Sequence, residues 1–282
     1  MGLYSYRELS SGFGAEILGV DARKTPNCLE RKELKSLWLR FGILLFRGQK
    51  VTPKEQVRFS QNFGVITQYT RNKFNNEHNP DILVLSNITK EGKLIGSPVS
   101  GRVWHTDGHY LAEPPAGSLL HAIIVPPEGG DTLFANMTAA WKDLPDKIKK
   151  RIQDKRVIIS RVQSRPYNYP DRPPVTEQEK SEWEDISHPI VRVHPETGKY
   201  ALYVGGNVPW KIEGMLLGES LPLITWLQEF SVMERYTYRH VWQSGDMILW
   251  DNRCVMHRAT WYDGERYKRL MNRTTLLGDI PI

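Results

Sequence analysis

Every long apolar run in this chain is short by helical standards and is stopped by a turn signal. Gly42-Ile43-Leu44-Leu45-Phe46 runs straight into Arg47-Gly48, and Leu119 to Val125 ends at Pro126-Pro127. Apolar runs of this length, bounded by Gly and Pro, fit buried strands. They fall far short of the roughly 20 residues that span a bilayer as a helix. Further strands are expected at 82–87, at 191–193 with 200–204 around Pro195-Glu196-Thr197-Gly198, and at 236–242 with 247–250 around Gln243-Ser244-Gly245-Asp246. The last two pairs read as hairpins. Helical spacing marks 30–41, through Leu34, Leu37, Trp38 and Phe41, and also 138–155 and 221–233. Thr52-Pro53-Lys54-Glu55 opens another helix, with a capping threonine, proline in the first turn and a glutamate to close the capping box. Many short strands with a few helices predict a mainly β chain, a jelly-roll barrel flanked by helices. No linker divides residues 1–282, so one domain is expected. Arg165 to Pro174, with four prolines and two tyrosines, predicts a lid around 160–185.

Composition removes several classes of function. At 282 residues with 40% hydrophobic and 25% charged, the chain can build an ordinary core. The net charge of 38 − 32 = +6 favours anionic ligands. The densest basic stretch, Lys147 to Arg156, reads as the solvated face of a helix whose Ile148 and Ile152 turn inward, which argues against nucleic acid. Nothing resembles a membrane span, and Met1 to Glu8 lacks the apolar core of an export signal. The two cysteines, Cys28 and Cys254, are no disulfide framework, and a cytoplasmic location is expected.

Chemistry is concentrated in a few places. In Trp104-His105-Thr106-Asp107, extended backbone would point His105 and Asp107 to one face, two corners of a metal site. A third corner must come from elsewhere, and His257 closes an apolar stretch that begins at Trp250. Two histidines and one carboxylate leave three positions of an octahedral ion open, as non-haem iron oxygenases require. Of the other histidines, His109 reads either as a pocket-rim group or as a structural one, and His121, His188, His194 and His240 are read as structural. Tyr262-Asp263-Gly264-Glu265 predicts a third hairpin, joining about 257–262 to 265–277 and setting His257 opposite Leu270. Arg269, Met271 and Arg273 would then share the inward face near the metal. Two inward guanidiniums need anions, because an unpaired buried charge is very costly.

These motifs resemble the taurine / 2,4-dichlorophenoxyacetate dioxygenase family over nearly the whole chain. The matching stretches are Leu45-Phe46-Arg47-Gly48-Gln49, Trp104-His105-Thr106-Asp107, Pro114-Pro115-Ala116-Gly117, Gly129-Gly130-Asp131-Thr132, Trp250-Asp251-Asn252-Arg253, His257, and Arg269 with Arg273 before Leu277-Gly278-Asp279. The resemblance implies a cupin-like double-stranded β-helix and an Fe(II)- and 2-oxoglutarate-dependent dioxygenase that consumes O2. It places iron on His105, Asp107 and His257, the distal carboxylate of 2-oxoglutarate on Thr132 and Arg269, and the substrate's acidic group near Arg273. It also implies a homo-oligomer.

The reaction so implied is oxidation of an aliphatic C–H of a small or medium organic anion, with release of succinate and carbon dioxide. Taurine enzymes of this family are expected to hold the sulfonate with a histidine and an asparagine, where this chain has Tyr69 and Gly101. Tyr69 and Arg165 are therefore the candidate substrate contacts beside Arg273, and a substrate other than taurine is expected. Leu85-Ser86-Asn87 and Glu91-Gly92-Lys93 lean toward the aryloxyacetate branch. Two rival readings remain at this point: a cupin-type metal enzyme that never uses 2-oxoglutarate, and a non-catalytic binding module on the same scaffold.

Overall fold

The alternation of side chains along each strand decides which of two cores a residue joins. In Ile43–Phe46, Ile43 and Leu45 enter one core while Leu44 and Phe46 enter another. The same split separates Ile248 and Trp250 from Met247 and Leu249, and Leu120 and Ala122 from Leu119. The first set meets Phe134 and Val255 from a second sheet and fills the barrel. The second set packs beneath helices α1 (Cys28–Phe41) and α2 (Pro53–Ser60), against Leu34, Trp38 and Phe59.

The computed structural model describes residues 2–68, 74–98, 101–168, 170, 172–206 and 208–282, with backbone alone at 167 and 168. The larger sheet runs in the order Tyr6–Ser10, Phe13–Ile17, Ile43–Phe46, Met247–Asp251, Gly117–Ile124, Leu270–Leu276, Asn79–Ser86, Asn75–Asn76. The smaller sheet runs Thr237–His240, Thr132–Asn136, Val255–Ala259. Two antiparallel layers closing on a shared core make the expected jelly roll. A flanking core lies under α3 (Met137–Asp143), α4 (Asp146–Ile152) and α7 (Leu217–Ser231).

Local chemistry explains the helix ends. Asn27 caps α1 and Glu30 closes the box. Gly42 ends it with φ 71°, its N–H reaching Trp38 O at 2.8 Å. Thr52 and Glu55 form the expected box on α2. The helix expected over 138–155 is instead two, because Pro145 has no N–H to continue the first, and Arg156–Ile159 is a strand.

Of the expected hairpins, only Val191–Val193 with Tyr200–Leu202 forms. Thr237–His240 pairs with Thr132–Asn136, whereas Met247–Asp251 pairs with Ile43–Phe46 and Gly117–Ile124. The connection crosses between sheets, tied down where Gln49 N–H meets Gly245 O at 2.7 Å. The 257–277 hairpin fails in the same way: Val255–Ala259 belongs to the smaller sheet and Leu270–Leu276 to the larger. Asp263 Oδ1 accepts the N–H groups of Glu265 and Arg266, both at 3.1 Å, and Asp263 O accepts that of Tyr267 at 2.9 Å. That is a helical turn inside a crossing segment, and consecutive strands that alternate between layers cover both inner faces. Residues 160–185, the expected lid, hold α5 (Arg161–Asn168) and α6 (Glu177–Glu182). Among the described residues no helix is long and apolar enough to cross a membrane.

Candidate metal centre

His105 is placed by pairing with the residue it must meet. Its N–H donates to His257 O at 3.0 Å and His257 N–H returns to His105 O at 2.9 Å. Asp107 follows in a turn, so the expectation that a strand's alternation aligns His105 with Asp107 is replaced by a two-residue bridge plus a turn. Asn252 holds that turn. Its Oδ1 accepts Asp107 N–H at 2.8 Å, and its Nδ2 donates to Asp107 O at 2.7 Å and Pro115 O at 3.0 Å.

The donor atoms converge. Asp107 Oδ1 lies 3.8 Å from His105 Nε2 and 4.0 Å from His257 Nε2, and the three ligand atoms fall within 4.8 Å of one another. Donors about 2.1 Å from one ion stand about 3.0 Å apart on one face of an octahedron, so these three would draw in by about 1 Å to hold one. His105 Nδ1–H points at Val103 O, 2.8 Å away, which leaves the Nε2 lone pair for a metal. Ser118 Oγ donates to Asp107 Oδ2 at 3.0 Å, leaving Oδ1 to face the imidazoles. Burial alone would raise Asp107, but Arg273, the imidazoles and Ser118 outweigh it and hold the carboxyl at about 2. Burial, helped by His105, depresses His257 to about 3. Asp107 is thus a carboxylate and His257 a neutral imidazole, the protonation states a divalent metal requires of its ligands.

His194, Asp251 and Cys254 also bring donor atoms within 4.8 Å of one another, and they behave differently. Arg253 takes Asp251 with Nε at 2.8 Å and Nη2 at 2.7 Å, and His194 Nε2–H adds 3.0 Å. His194 Nδ1 already accepts the N–H groups of Glu196 and Thr197. Burial pushes the Cys254 thiol up, so no thiolate is on offer. The lone pairs of His194 and Asp251 are spent on structure, and Cys254 gives its S–H to Asp251 O.

Arg269 stands just before Leu270–Leu276, and burial lowers its guanidinium to about 10. Among the described residues no carboxylate lies within 4.0 Å of it, and its Nε is buried without a partner. It lines a cavity with Ser86, Arg102, Ala259, Thr260 and Tyr262. Thr132 pairs directly with Ala259, and its Oγ1 accepts Trp242 Nε1–H at 3.0 Å, leaving the hydroxyl hydrogen to donate.

Arg273 shares the inward face with Met271, as expected, but its Nη1 already lies 3.1 Å from Asp107 Oδ1. Arg273 therefore has a partner without an anionic substrate, contrary to the expectation from the sequence. Its internal carboxylate is Asp107, while Asp251 belongs to Arg253. Arg165 is likewise engaged, with Glu179 Oε1 at 2.7 Å and Pro173 O at 3.1 Å. Tyr69, and Arg71 near it, lie outside the described residues. His109 is not at a rim: it is 1% exposed and stacks on His188 at 5.3 Å. Gly101 backs onto the site, where a Cβ would stand 3.0 Å from His105 Cε1. Asn252 and Ser118 escaped the sequence reading, although Asn252 sits inside one of the matching stretches.

A His–Asp–His face inside a jelly-roll barrel defines a non-haem metal centre of the two-histidine, one-carboxylate class. The chain belongs to the taurine catabolism dioxygenase TauD, TfdA family, whose model matches residues 5–275. It is 32% identical to the alpha-ketoglutarate-dependent 2,4-dichlorophenoxyacetate dioxygenase of Burkholderia sp. (strain RASC), over 83% of this chain and 82% of that one. It is 29% identical to an alpha-ketoglutarate-dependent sulfate ester dioxygenase of Pseudomonas putida, over 95% and 88%. Its fold matches the crystal structure of AAD-2 in complex with Mn(II) and N-oxalylglycine with a TM-score of 0.84 at 29% identity, covering 99% of this chain and 98% of that one.

Proposed function

We propose that this protein is an Fe(II)- and 2-oxoglutarate-dependent dioxygenase that oxidises an aliphatic C–H of a small or medium organic anion. The observation that carries the reading is Arg269, a buried guanidinium with no carboxylate within 4.0 Å among the described residues, in the same barrel as a convergent His–Asp–His face. A metal enzyme that never uses a dicarboxylate, or a binding module with no metal, leaves one of these two features without a cause. The relatives named above support it, one acting on a phenoxyacetate and one on sulfate esters.

Bound iron and 2-oxoglutarate would supply, with O2, the oxidising power that replaces C–H by C–OH, succinate and carbon dioxide being released. The chain's share is positioning. His105, Asp107 and His257 would hold the metal on one face, with Ser118 and Asn252 keeping Asp107 in register. Thr132 and Arg269 would take the distal carboxylate, the arginine through a planar fork matched to two oxygens. Arg273 would stand between the metal and the substrate, sharing its charge with Asp107. Trp250 and Phe134 pack on the His257 ring at 4.6 and 6.1 Å and keep water from that side.

Taurine is disfavoured as the substrate: Gly101 offers no side-chain amide where taurine enzymes are expected to carry an asparagine. The two free cysteines suit a cytoplasmic location, and a homo-oligomer is the form we expect. The test is anaerobic titration with iron(II) and 2-oxoglutarate, followed by succinate release over carboxylates, sulfonates, sulfate esters and matched neutral amides. Failure of 2-oxoglutarate to bind, or better turnover of amides than acids, would refute the reading.

A further inference from the structure

Eight arginines among the described residues are not exposed, and most have a carboxylate. Arg47 has Asp246, Arg165 has Glu179, Arg192 has Asp279, Arg253 has Asp251 and Arg273 has Asp107, each within 4.0 Å. Arg161, Arg258 and Arg269 have none among the described residues. Arg269 is accounted for above. Arg258 follows His257 in a strand, so its side chain leaves by the opposite face, where it lies over Trp104 at 5.4 Å. Arg161 remains.

Its surroundings are those of a held, incompletely solvated cation. The Arg161 guanidinium lies 3.8 Å from the centroid of the Trp183 ring and 4.5 Å from that of Tyr110. Tyr110 comes three residues after Asp107, and Trp183 directly follows α6. A second connection brings the same point to the metal motif: Ser160 N–H donates to Val208 O at 2.9 Å, and Gly206 lies so close to Trp104 O that a side chain there could not fit. Rings over the flat faces of a guanidinium leave its N–H edge, which is where carboxylate, sulfonate and sulfate oxygens accept. A cation in the first turn of a helix works against the helix dipole, so α5 gains nothing from Arg161. Burial lowers this group from its ordinary value, Arg165 adding to the effect and Tyr110 and Glu179 opposing it, and no described carboxylate comes within 4.0 Å of it.

We propose that Arg161, rather than Arg165, is the residue of the 160–185 segment that receives the acidic end of the primary substrate. The two lie one helical turn apart, and Glu179 has taken Arg165. This rests on the dioxygenase reading.

The experiment uses the full chain loaded with iron(II) and 2-oxoglutarate. Succinate release is measured with phenoxyacetate, hexyl sulfate and hexanesulfonate, and with phenoxyacetamide as the neutral partner, for wild type, Arg161→Ala, Arg161→Lys and Arg165→Ala. Loss of a charge-assisted contact should raise KM for the preferred acid roughly 10- to 150-fold in Arg161→Ala. kcat should stay within about threefold, 2-oxoglutarate affinity should not move, and Arg161→Lys should recover part of the loss. An unchanged KM for the acid would overturn the proposal. So would an equal rise for acid and amide, which would mean Arg161 only positions the segment, and so would a larger effect from Arg165→Ala. If wild type releases no succinate with any probe, the dioxygenase reading is what has failed. Calorimetric titration of the same acids onto wild type and Arg161→Ala then decides on Arg161 by itself, equal affinity overturning its role.

Discussion

Two groups of side chains in this barrel satisfy the same distance criterion for a metal, and only one can hold it. His105, Asp107 and His257 each keep a lone pair: Val103 takes His105 Nδ1, Ser118 takes Asp107 Oδ2, His257 Nδ1 is left over in the core, and on Asp107 Oδ1 the single bond from Arg273 leaves room for an ion. His194, Asp251 and Cys254 stand equally close, but Arg253, two backbone N–H groups and a protonated thiol have used up their capacity. Nearness of histidine and carboxylate is thus a weak guide to a metal. What the remaining ring nitrogen and the second carboxylate oxygen are doing is a strong one.

The largest test of this contrast is to remove one ligand from each group. Asp107→Ala or His257→Ala should abolish stoichiometric iron(II) binding and reduce turnover by more than about 10²-fold, exceeding the loss typical of outer partners. His194→Ala should leave iron stoichiometry at wild-type level. Iron retained at full affinity in Asp107→Ala would undo the assignment.

Asp251→Asn should act on stability instead. Removing one partner of a buried pair typically costs about 3–5 kcal/mol, and the lower end applies here because Glu196 still reaches Arg253. Burial opposes ionisation of Asp251, but Arg253 and His194 more than compensate and hold it below its ordinary value. Over the acid range the unfolded chain therefore binds more protons than the folded one. The network's contribution is complete above the unfolded carboxylate value, near pH 4, and declines as pH falls through the folded one. Urea unfolding between pH 3 and 7 should show a weakened acid dependence in the variant. A wild-type acid limb there would place the network's weight elsewhere.

Two smaller effects sharpen the contrast within the first group. Arg269→Ala should weaken 2-oxoglutarate by about 10- to 150-fold, the range for a charge-assisted hydrogen bond, while leaving iron affinity alone. Isothermal titration separates the two, and unchanged 2-oxoglutarate affinity removes Arg269 from the site. Ser118→Ala frees Asp107 Oδ2 and should cost iron affinity about 10-fold. An unaltered iron titration would show that Asn252 alone fixes the carboxylate.

Reading the sequence recovered what depends on local rules. The capping box at Thr52, the buried strand at Ile43–Phe46 and the inward face of Arg273 all follow from periodicity and end chemistry. It misplaced what depends on which sheet a strand joins. Asp263-Gly264 has the residues of a two-residue hairpin turn, yet the competing hydrogen bonds from Asp263 to residues 265, 266 and 267 make a helical turn instead. Chain order named all three metal ligands, but it could not show that Arg273 answers Asp107 or that Glu179 has claimed Arg165. Those pairings join residues 166 and 14 positions apart and rest on three-dimensional packing alone.

The failed hairpin has a consequence of its own. His257 sits on the smaller sheet and Arg269 at the entrance of a strand in the larger one, with the crossing segment between them. Under the proposed function, a molecule gripped at one end by the metal and at the other by Arg269 is measured by the gap between two packed layers, about 10 Å in sheets generally. The barrel then works as a calliper whose jaws are set by backbone hydrogen bonds, and no single side chain can open or close it. Acceptance of a shorter or longer dicarboxylate would require a strand to move, so the length of the co-substrate should resist point mutation far more than the identity of the substrate does.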